Sequence, residues 1–141
     1  MGWQLLAVIS AIAAGITSVF AKAGLQEVPS QLGNTVRTAI VLVLSIAILF
    51  YSGEHQKTST LNTRAWVFLG LSGAATAVSW IAYFKALSIG SATPVTAIDK
   101  SSLIVTMFLS VLLLGERLSW RTVAGVVLIV AGSILASIRP R

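Results

Sequence analysis

Two otherwise apolar segments each carry a stripe of polar side chains at helical spacing. In the earlier segment the stripe consists of Ser72, Thr76, Ser79 and Tyr83. In the later segment it consists of Asp99, Ser102, Thr106 and Ser110. Side chains at i, i+4 and i+7 share one helix face, and in lipid a polar face must contact protein or water. Two facing stripes would line a polar cavity; alternatively, the hydroxyls only bond across helices or to their own backbone carbonyls.

Three aromatic side chains accompany the first stripe. Trp80 lies too deep in its segment to anchor at lipid headgroups, Phe84 follows one helical turn later, and Tyr83 lies alongside. This group predicts an aromatic wall for a substrate pocket. The alternative is that the rings only fill a core, as buried aromatic side chains commonly do.

Asp99 is the one acid inside the apolar segments. Charges there are rare, because a charge at the centre of a membrane helix costs about 2.5–3.5 kcal/mol even on insertion scales. Lys100 is one residue on and points about 100° away on a helix, so the two side chains are not expected to share a face. Lys85 is the better-placed partner, and we expect a Lys85–Asp99 charged pair.

Basic residues gather with Asp99 near one end of the predicted bundle, namely Lys22, Arg37, Lys85 and Lys100. Four positive charges and one negative charge leave a net +3, which would attract an anionic substrate group. Arg37 is the favoured contact, because a planar guanidinium holds a carboxylate with two hydrogen bonds. Alternatively, the lysines only extend to lipid headgroups, and one of them neutralises Asp99.

Five long apolar stretches must position these residues. A chain of 141 residues with 56% hydrophobic and 10% charged residues cannot enclose a soluble core in a polar surface. A membrane helix needs roughly 20 apolar residues, which predicts an all-α membrane protein with helices Trp3–Ala21, Leu32–Tyr51, Ala65–Leu87, Pro94–Leu114 and Trp120–Ile138. The loops are short, so neighbouring helices should run antiparallel in a single domain over residues 1–141.

The sequence lacks the residues that several classes of function require. It contains no cysteine and one histidine, His55, in a polar loop, so no metal or cofactor site is expected. No nucleophile–base pair or phosphate loop is visible, so we do not expect an enzyme. The basic residues behind the net charge of +6 lie at helix ends and in tight loops, where lipid headgroups rather than nucleic acid are the expected partner.

The charge balance bears on how the chain inserts. The interfacial aromatic residues Trp3, Tyr51, Trp66 and Trp120 fall on one side of the membrane. That side carries the basic residues Lys57, Arg64, Arg117 and Arg121. The opposite side carries Lys22, Arg37, Lys85, Lys100, Arg139 and Arg141. A bias of two, six minus four, does not fix one orientation. With five helices and no internal repeat, we expect an antiparallel homodimer of ten helices.

Small residues form a further pattern on the last predicted helix. Ala124-Gly125 recurs seven residues later as Ala131-Gly132, which places small side chains on one stripe. Such stripes allow close packing of membrane helices. We therefore expect a seam there, either within the chain or between two chains.

The order of these elements resembles the EamA-type domain of the drug/metabolite transporter superfamily. The resemblance is carried by Ala86-Leu87 up to Pro94, Ile98-Asp99-Lys100-Ser101-Ser102, Leu114-Gly115-Glu116-Arg117-Leu118 and the two Ala-Gly pairs. Arg37 also matches the family pattern. Most members carry two such domains in ten helices, whereas this chain is similar to the half-size, five-helix form. The resemblance implies that another subunit supplies the missing half of the substrate pathway.

By this resemblance the expected function is transport, often export, of small amphipathic metabolites such as amino acids across a bacterial or archaeal cytoplasmic membrane. The energy would come from an ion gradient or from the solute gradient itself. The related small multidrug resistance proteins depend on an acid in the first helix, which this chain lacks. The alternative function is that of a non-transporting membrane subunit or a component of a lipid-carrier flippase.

The residues proposed for each role follow from the stripes and the intraspan charges. The expected substrate-binding residues are Arg37, Ser72, Thr76, Ser79, Trp80, Tyr83 and Thr106. The expected charged pair or gate involves Lys22, Lys85, Asp99 and Lys100.

We predict that the chain inserts in both orientations, because its basic residues give neither orientation a clear advantage. The measurement uses two C-terminal reporters, one active only in the cytoplasm and one active only outside it, at native expression. Each reporter should detect a population of C-termini. A single uniform orientation would contradict the prediction.

Overall fold

The structure is a computed structural model that describes residues 2–138, apart from the side chain of Ser59. Over this range the chain is helical, without strands. The helices are α1 (Trp3–Gly24), α2 (Ser30–Tyr51), α3 (Thr63–Ile89), α4 (Ala92–Asp99), α5 (Ser102–Leu114) and α6 (Trp120–Ser137), with a 3₁₀ helix (Glu54–Thr60) between α2 and α3. The predicted all-α class is confirmed. Arg139 and Arg141, which entered the charge count, lie outside the described residues.

Five stretches of helix are long and apolar enough to cross a membrane, as the sequence predicts. Four of them are single helices, and the fifth is formed by α4 and α5 together. The helices α2 and α3 begin earlier than predicted, because polar residues at their ends continue the helical backbone beyond the apolar run. The start of α3 is stabilised by Asn62, whose Oδ1 accepts a hydrogen bond from the Ala65 amide at 2.8 Å.

The fourth predicted span, Pro94–Leu114, is confirmed as one membrane-length stretch, Ala92–Leu114, but the regular helix is interrupted within it. Lys100 and Ser101 separate α4 from α5. Around this break four amides bond to carbonyls three residues earlier, beginning with Lys100 N to Ala97 O at 3.1 Å and ending with Ile104 N to Ser101 O at 3.0 Å. Such tightened turns interrupt the regular i→i−4 ladder. The run of Asp and Ser around the break favours it, since these side chains are poor helix formers.

The chain divides into two compact units, Met1–Lys22 with Ile89–Arg141, and Ala23–Ser88. In the first unit α6 packs against both α4 and α5. Its buried polar side chains bond within their own helices, with Ser18 Oγ donating to Ala14 O and Ser133 Oγ donating to Ile129 O. The single domain over residues 1–141 stays a prediction.

The second unit contains the best-buried apolar side chains of residues 2–138. Phe84 and Leu87, near the end of α3, are almost completely buried, and Leu25, before α2, is buried too. A Cβ on Gly33 would lie 2.7 Å from Leu25 Cδ2, so glycine at this position lets Leu25 lie close against α2. This end of the unit therefore contains the most deeply buried apolar side chains of the described residues.

Most apolar side chains in the five spans are exposed on the protein. At most 6% of the most apolar window of each span is buried. Such a surface would aggregate in water and is the surface that lipid covers. Trp3, Tyr51, Trp66 and Trp120 all lie at or near helix ends and are exposed, as residues of a membrane–water boundary are.

Gly115 ends α5 in the left-handed backbone region, with φ +67°. This conformation lets the Gly115 amide reach Val111 O at 3.2 Å and the Glu116 amide reach Ser110 O at 3.3 Å. We predict that Gly115→Ala lowers the free energy of unfolding in detergent by about 1 kcal/mol, because a Cβ disfavours this region. Gly15→Ala is the matched control, because Gly15 is helical with open space around it, and this change should be neutral or stabilising. Equal effects of the two changes would argue against the prediction.

Candidate functional site

A groove of about 420 Å³ lies between α2 and α3 in the unit Ala23–Ser88. This volume is within the range of small-molecule sites. From α2 it is lined by Gln31, Asn34, Thr35, Thr38, Ala39 and Leu42, and from α3 by Gly73, Thr76, Ala77, Trp80 and Ile81. Its walls are mostly apolar with a few polar groups, which is the usual composition of a ligand site.

The polar residues of α2 form a stripe that the sequence analysis missed. Gln31, Thr35 and Thr38 recur at i, i+4 and i+7, which is the same spacing that singled out the stripe on α3. The two threonine hydroxyls are satisfied locally, since Thr35 Oγ1 donates to Gln31 O at 2.9 Å and Thr38 Oγ1 donates to Asn34 O at 2.7 Å. On this face the buried side-chain atom without a hydrogen-bond partner belongs to Asn34.

Two buried side-chain atoms near the groove have no hydrogen-bond partner among the described residues, Asn34 Oδ1 and Arg37 Nη1. Asn34 lines the groove and is only 7% exposed. A buried polar group without a partner costs about 1–3 kcal/mol, so such groups mark places where a polar ligand can bind. A third such atom, His55 Nδ1, lies in the 3₁₀ helix, where the centre of the His55 ring is 4.8 Å from that of Phe50.

Arg37 lies over the faces of two rings of α3. Its Cζ is 4.0 Å from the centre of the Trp80 ring and 5.6 Å from that of Phe84. A guanidinium over an aromatic face is stabilised by about 0.5–2 kcal/mol, more when it is desolvated. Arg37 is not among the lining residues of the groove, but Trp80 is, so the cation lies beside the groove.

The predicted stripe of α3 only partly coincides with the groove. Thr76 lines it, while Ser72, Ser79 and Tyr83 are not among its lining residues. The groove face of α3 runs through Gly73, Thr76 and Trp80, so it is rotated relative to the predicted stripe. Thr76 Oγ1 donates to Ser72 O at 2.9 Å. Tyr83 packs edge-on against Phe84, with ring centres 6.4 Å apart.

The polar residues predicted on the fourth span belong to the other unit. Thr106 Oγ1 donates to Ser102 O at 3.2 Å, and Ser110 Oγ donates to Met107 O at 3.1 Å. Both hydroxyls thus bond to backbone carbonyls of their own helix, which is the alternative to a polar cavity that the sequence left open. The break at Lys100 and Ser101 also separates Asp99 from the three hydroxyl residues that follow it.

Asp99 lies at the end of α4, and its carboxylate is 3.9 Å from Lys100 Nζ. The two side chains reach this distance from consecutive positions, although consecutive positions on a helix point about 100° apart. Lys22 lies in the last turn of α1 and Lys85 lies near the end of α3. The Lys85–Asp99 pair stays a prediction. Within residues 2–138, no three His, Cys, Asp or Glu side chains come together as metal ligands.

Comparison with known families accounts for nearly the whole chain. The EamA-like transporter family matches residues 1–138. The chain belongs to this family. A relative from Sinorhizobium sp., named an uncharacterized transporter in the cobO 3′ region, is 41% identical over 136 residues, which are 96% of this chain and 96% of the relative. No solved structure matches the chain.

Membership of the EamA-like family confirms the resemblance drawn from the sequence. One EamA domain spans almost the entire 141-residue chain, in keeping with the half-size form. This EamA protein is an integral, multi-pass membrane protein with five apolar spans, and its family is one of transporters.

Asp99→Asn in this EamA protein is predicted to change the free energy of unfolding by less than about 1 kcal/mol. The side chains of Lys100 and Asp99 are 50% and 40% exposed, and ion pairs this open contribute little. The measurement is the unfolding midpoint in detergent, with Glu116→Gln as the control for loss of an exposed carboxylate. A loss above about 2 kcal/mol would instead indicate that Asp99 neutralises a buried charge.

Proposed function

We propose that this EamA protein exports small amphipathic, amino-acid-like metabolites, and that it works as an antiparallel homodimer in a bacterial cytoplasmic membrane. The observation that carries the proposal is Arg37, a cation that lies over Trp80 beside a groove of suitable size. The Sinorhizobium relative supports the bacterial assignment.

Arg37 suits a carboxylate ligand because its present partners do not neutralise it. Within residues 2–138 no carboxylate is within salt-bridge distance of Arg37, and the Trp80 and Phe84 rings attract the cation through their faces. A ring face stabilises a cation but carries no net charge. Arg37 Nη1 has no hydrogen-bond partner either, so the guanidinium keeps its capacity for an anion.

The remainder of the groove suits the apolar part of such a metabolite. Ala39, Leu42, Ala77 and Ile81 supply aliphatic walls. An amphipathic molecule would bury its apolar group against these side chains and direct its carboxylate toward Arg37. The two requirements together favour an amino acid with an aliphatic side chain over a fully polar or a fully apolar solute.

Two features support a second copy as the missing half of the transporter. The Sinorhizobium relative, named as a transporter, aligns over 96% of its own length, so it too has the size of a single EamA domain. On α6 a Cβ at Gly125 or at Gly132 would meet no atom within 4 Å, so these small residues leave the helix surface open for another chain. The relative's name also favours transport over the alternative of a non-transporting subunit or a flippase component.

We predict that Arg37→Gln lowers leucine transport in reconstituted vesicles at least tenfold, because charge-assisted hydrogen bonds contribute about 1.5–3 kcal/mol. Transport of leucinamide, which lacks the carboxylate, should fall much less. Arg37→Lys is the matched control that keeps the charge but loses the two-bond geometry, and it should retain intermediate activity. Equal losses for leucine and leucinamide would indicate that Arg37 has a packing role and does not bind the carboxylate. If the unmodified protein transports no leucine, leucine is rejected as a substrate.

A further inference from the structure

One residue of the groove wall has a buried hydrogen-bond acceptor that the carboxylate contact of Arg37 does not use. Asn34 lies on the groove wall, is 7% exposed, and its Oδ1 accepts no hydrogen bond from residues 2–138. Its backbone carbonyl, by contrast, accepts a hydrogen bond from Thr38 Oγ1. Among the lining residues of the groove, Asn34 Oδ1 is thus the one buried side-chain atom without a hydrogen-bond partner within residues 2–138.

Asn34 and Arg37 are placed to act on one small molecule. They lie three residues apart on α2, so their side chains leave the helix on neighbouring positions about one turn apart. Trp80 lines the groove together with Asn34 and also carries the Arg37 guanidinium on its face. Asn34 and Arg37 therefore lie in the same part of the unit. Asn34 Oδ1 can accept a hydrogen bond from a ligand, whereas the Arg37 guanidinium can donate hydrogen bonds to an anionic ligand group.

We propose that Asn34 recognises the ammonium group of an α-amino acid whose carboxylate lies at Arg37. An α-amino acid carries a hydrogen-bond donor and an anion on the same carbon atom, which matches an acceptor and a cation one helical turn apart. The ammonium donates to Asn34 Oδ1, and its charge strengthens this bond. This inference rests on the proposed function, and it assigns the residue that recognises the amine of the proposed amino-acid substrate.

Neighbouring polar groups do not offer the same recognition. The hydroxyls of Thr35, Thr38 and Thr76 donate to backbone carbonyls. Their oxygens can still accept a hydrogen bond, but these residues are exposed and their oxygens bear no comparable desolvation cost. Gln31 also lines the groove, but it is exposed, so its amide is open to solvent or headgroups and bears no comparable desolvation cost. Selectivity between an amine and no amine is strongest where the site's own polar group is buried.

The test compares leucine with isocaproate, the same molecule without its amine, in equilibrium binding to purified, full-length protein. The unmodified protein should bind leucine at least tenfold more tightly than isocaproate. Asn34→Leu should remove most of this preference by weakening leucine about tenfold, while isocaproate affinity changes less than about twofold. Gln26→Leu, the amide-to-leucine control at an exposed residue that does not line the groove, should keep the preference.

Asn34→Asp covers the case in which Asn34→Leu does not fold. It keeps the size and the acceptor oxygens and adds a negative charge, so the ratio of leucine to isocaproate affinity should rise. Equal affinities of the unmodified protein for leucine and isocaproate would contradict the role of Asn34 in amine recognition. They would still agree with transport of a carboxylate. Equal weakening of both ligands by Asn34→Leu would contradict that role too, in favour of a shape effect. Binding of neither ligand would reject the proposed function together with this inference.

Discussion

The positive charge of Arg37 inside a membrane span constrains the unit that contains the groove. A guanidinium cannot lose its proton under physiological conditions, so it must find favourable contacts within the protein or reach the headgroups. It finds the faces of Trp80 and Phe84, which places a long side chain of α2 directly on α3. Of the two rings, Phe84 is almost completely buried, as is Leu87 nearby on the same helix. The groove then lies beside this contact, with Trp80 as part of both.

Polar side chains within the spans are of two kinds that the sequence does not distinguish: those that form a hydrogen bond to the backbone of their own helix and those that do not. Most serine and threonine hydroxyls donate to a carbonyl three or four residues earlier, as Thr76 and Thr106 do. Such a bond removes the cost of the hydroxyl in lipid without any tertiary partner. An asparagine amide has no equally simple local partner in a helix, and Asn34 Oδ1 is left unsatisfied. In a membrane helix, ligand binding is therefore expected at polar side chains that cannot form a hydrogen bond to the backbone of their own helix.

The break between α4 and α5 changes the electrostatic setting of Asp99. Within one continuous helix Asp99 would lie in the N-terminal part, where the helix dipole stabilises an anion. The regular hydrogen-bond ladder is interrupted after Asp99, while Lys100 and Ser101 keep helical backbone angles, so this stabilisation is weakened, and Lys100 lies alongside the carboxylate. A discontinuous helix near membrane charges is also a common feature of transporters, in which unwound segments are tolerated where protein or water contacts them.

Composition and hydropathy by themselves determined the class, the five spans and the helix ends to within a few residues, since the thickness of a bilayer dictates how long an apolar helix must be. The sequence motifs were also sufficient to identify the EamA family. Tertiary structure decided which face of each helix forms the groove. A rotation of about 100°, which corresponds to one residue along the helix, exchanges Ser72 and Ser79 for Gly73 and Trp80, and a spacing pattern does not reveal it. Tertiary structure also decided the break after Asp99 and the isolation of Asn34 Oδ1, since both depend on which backbone and side-chain hydrogen bonds form in three dimensions.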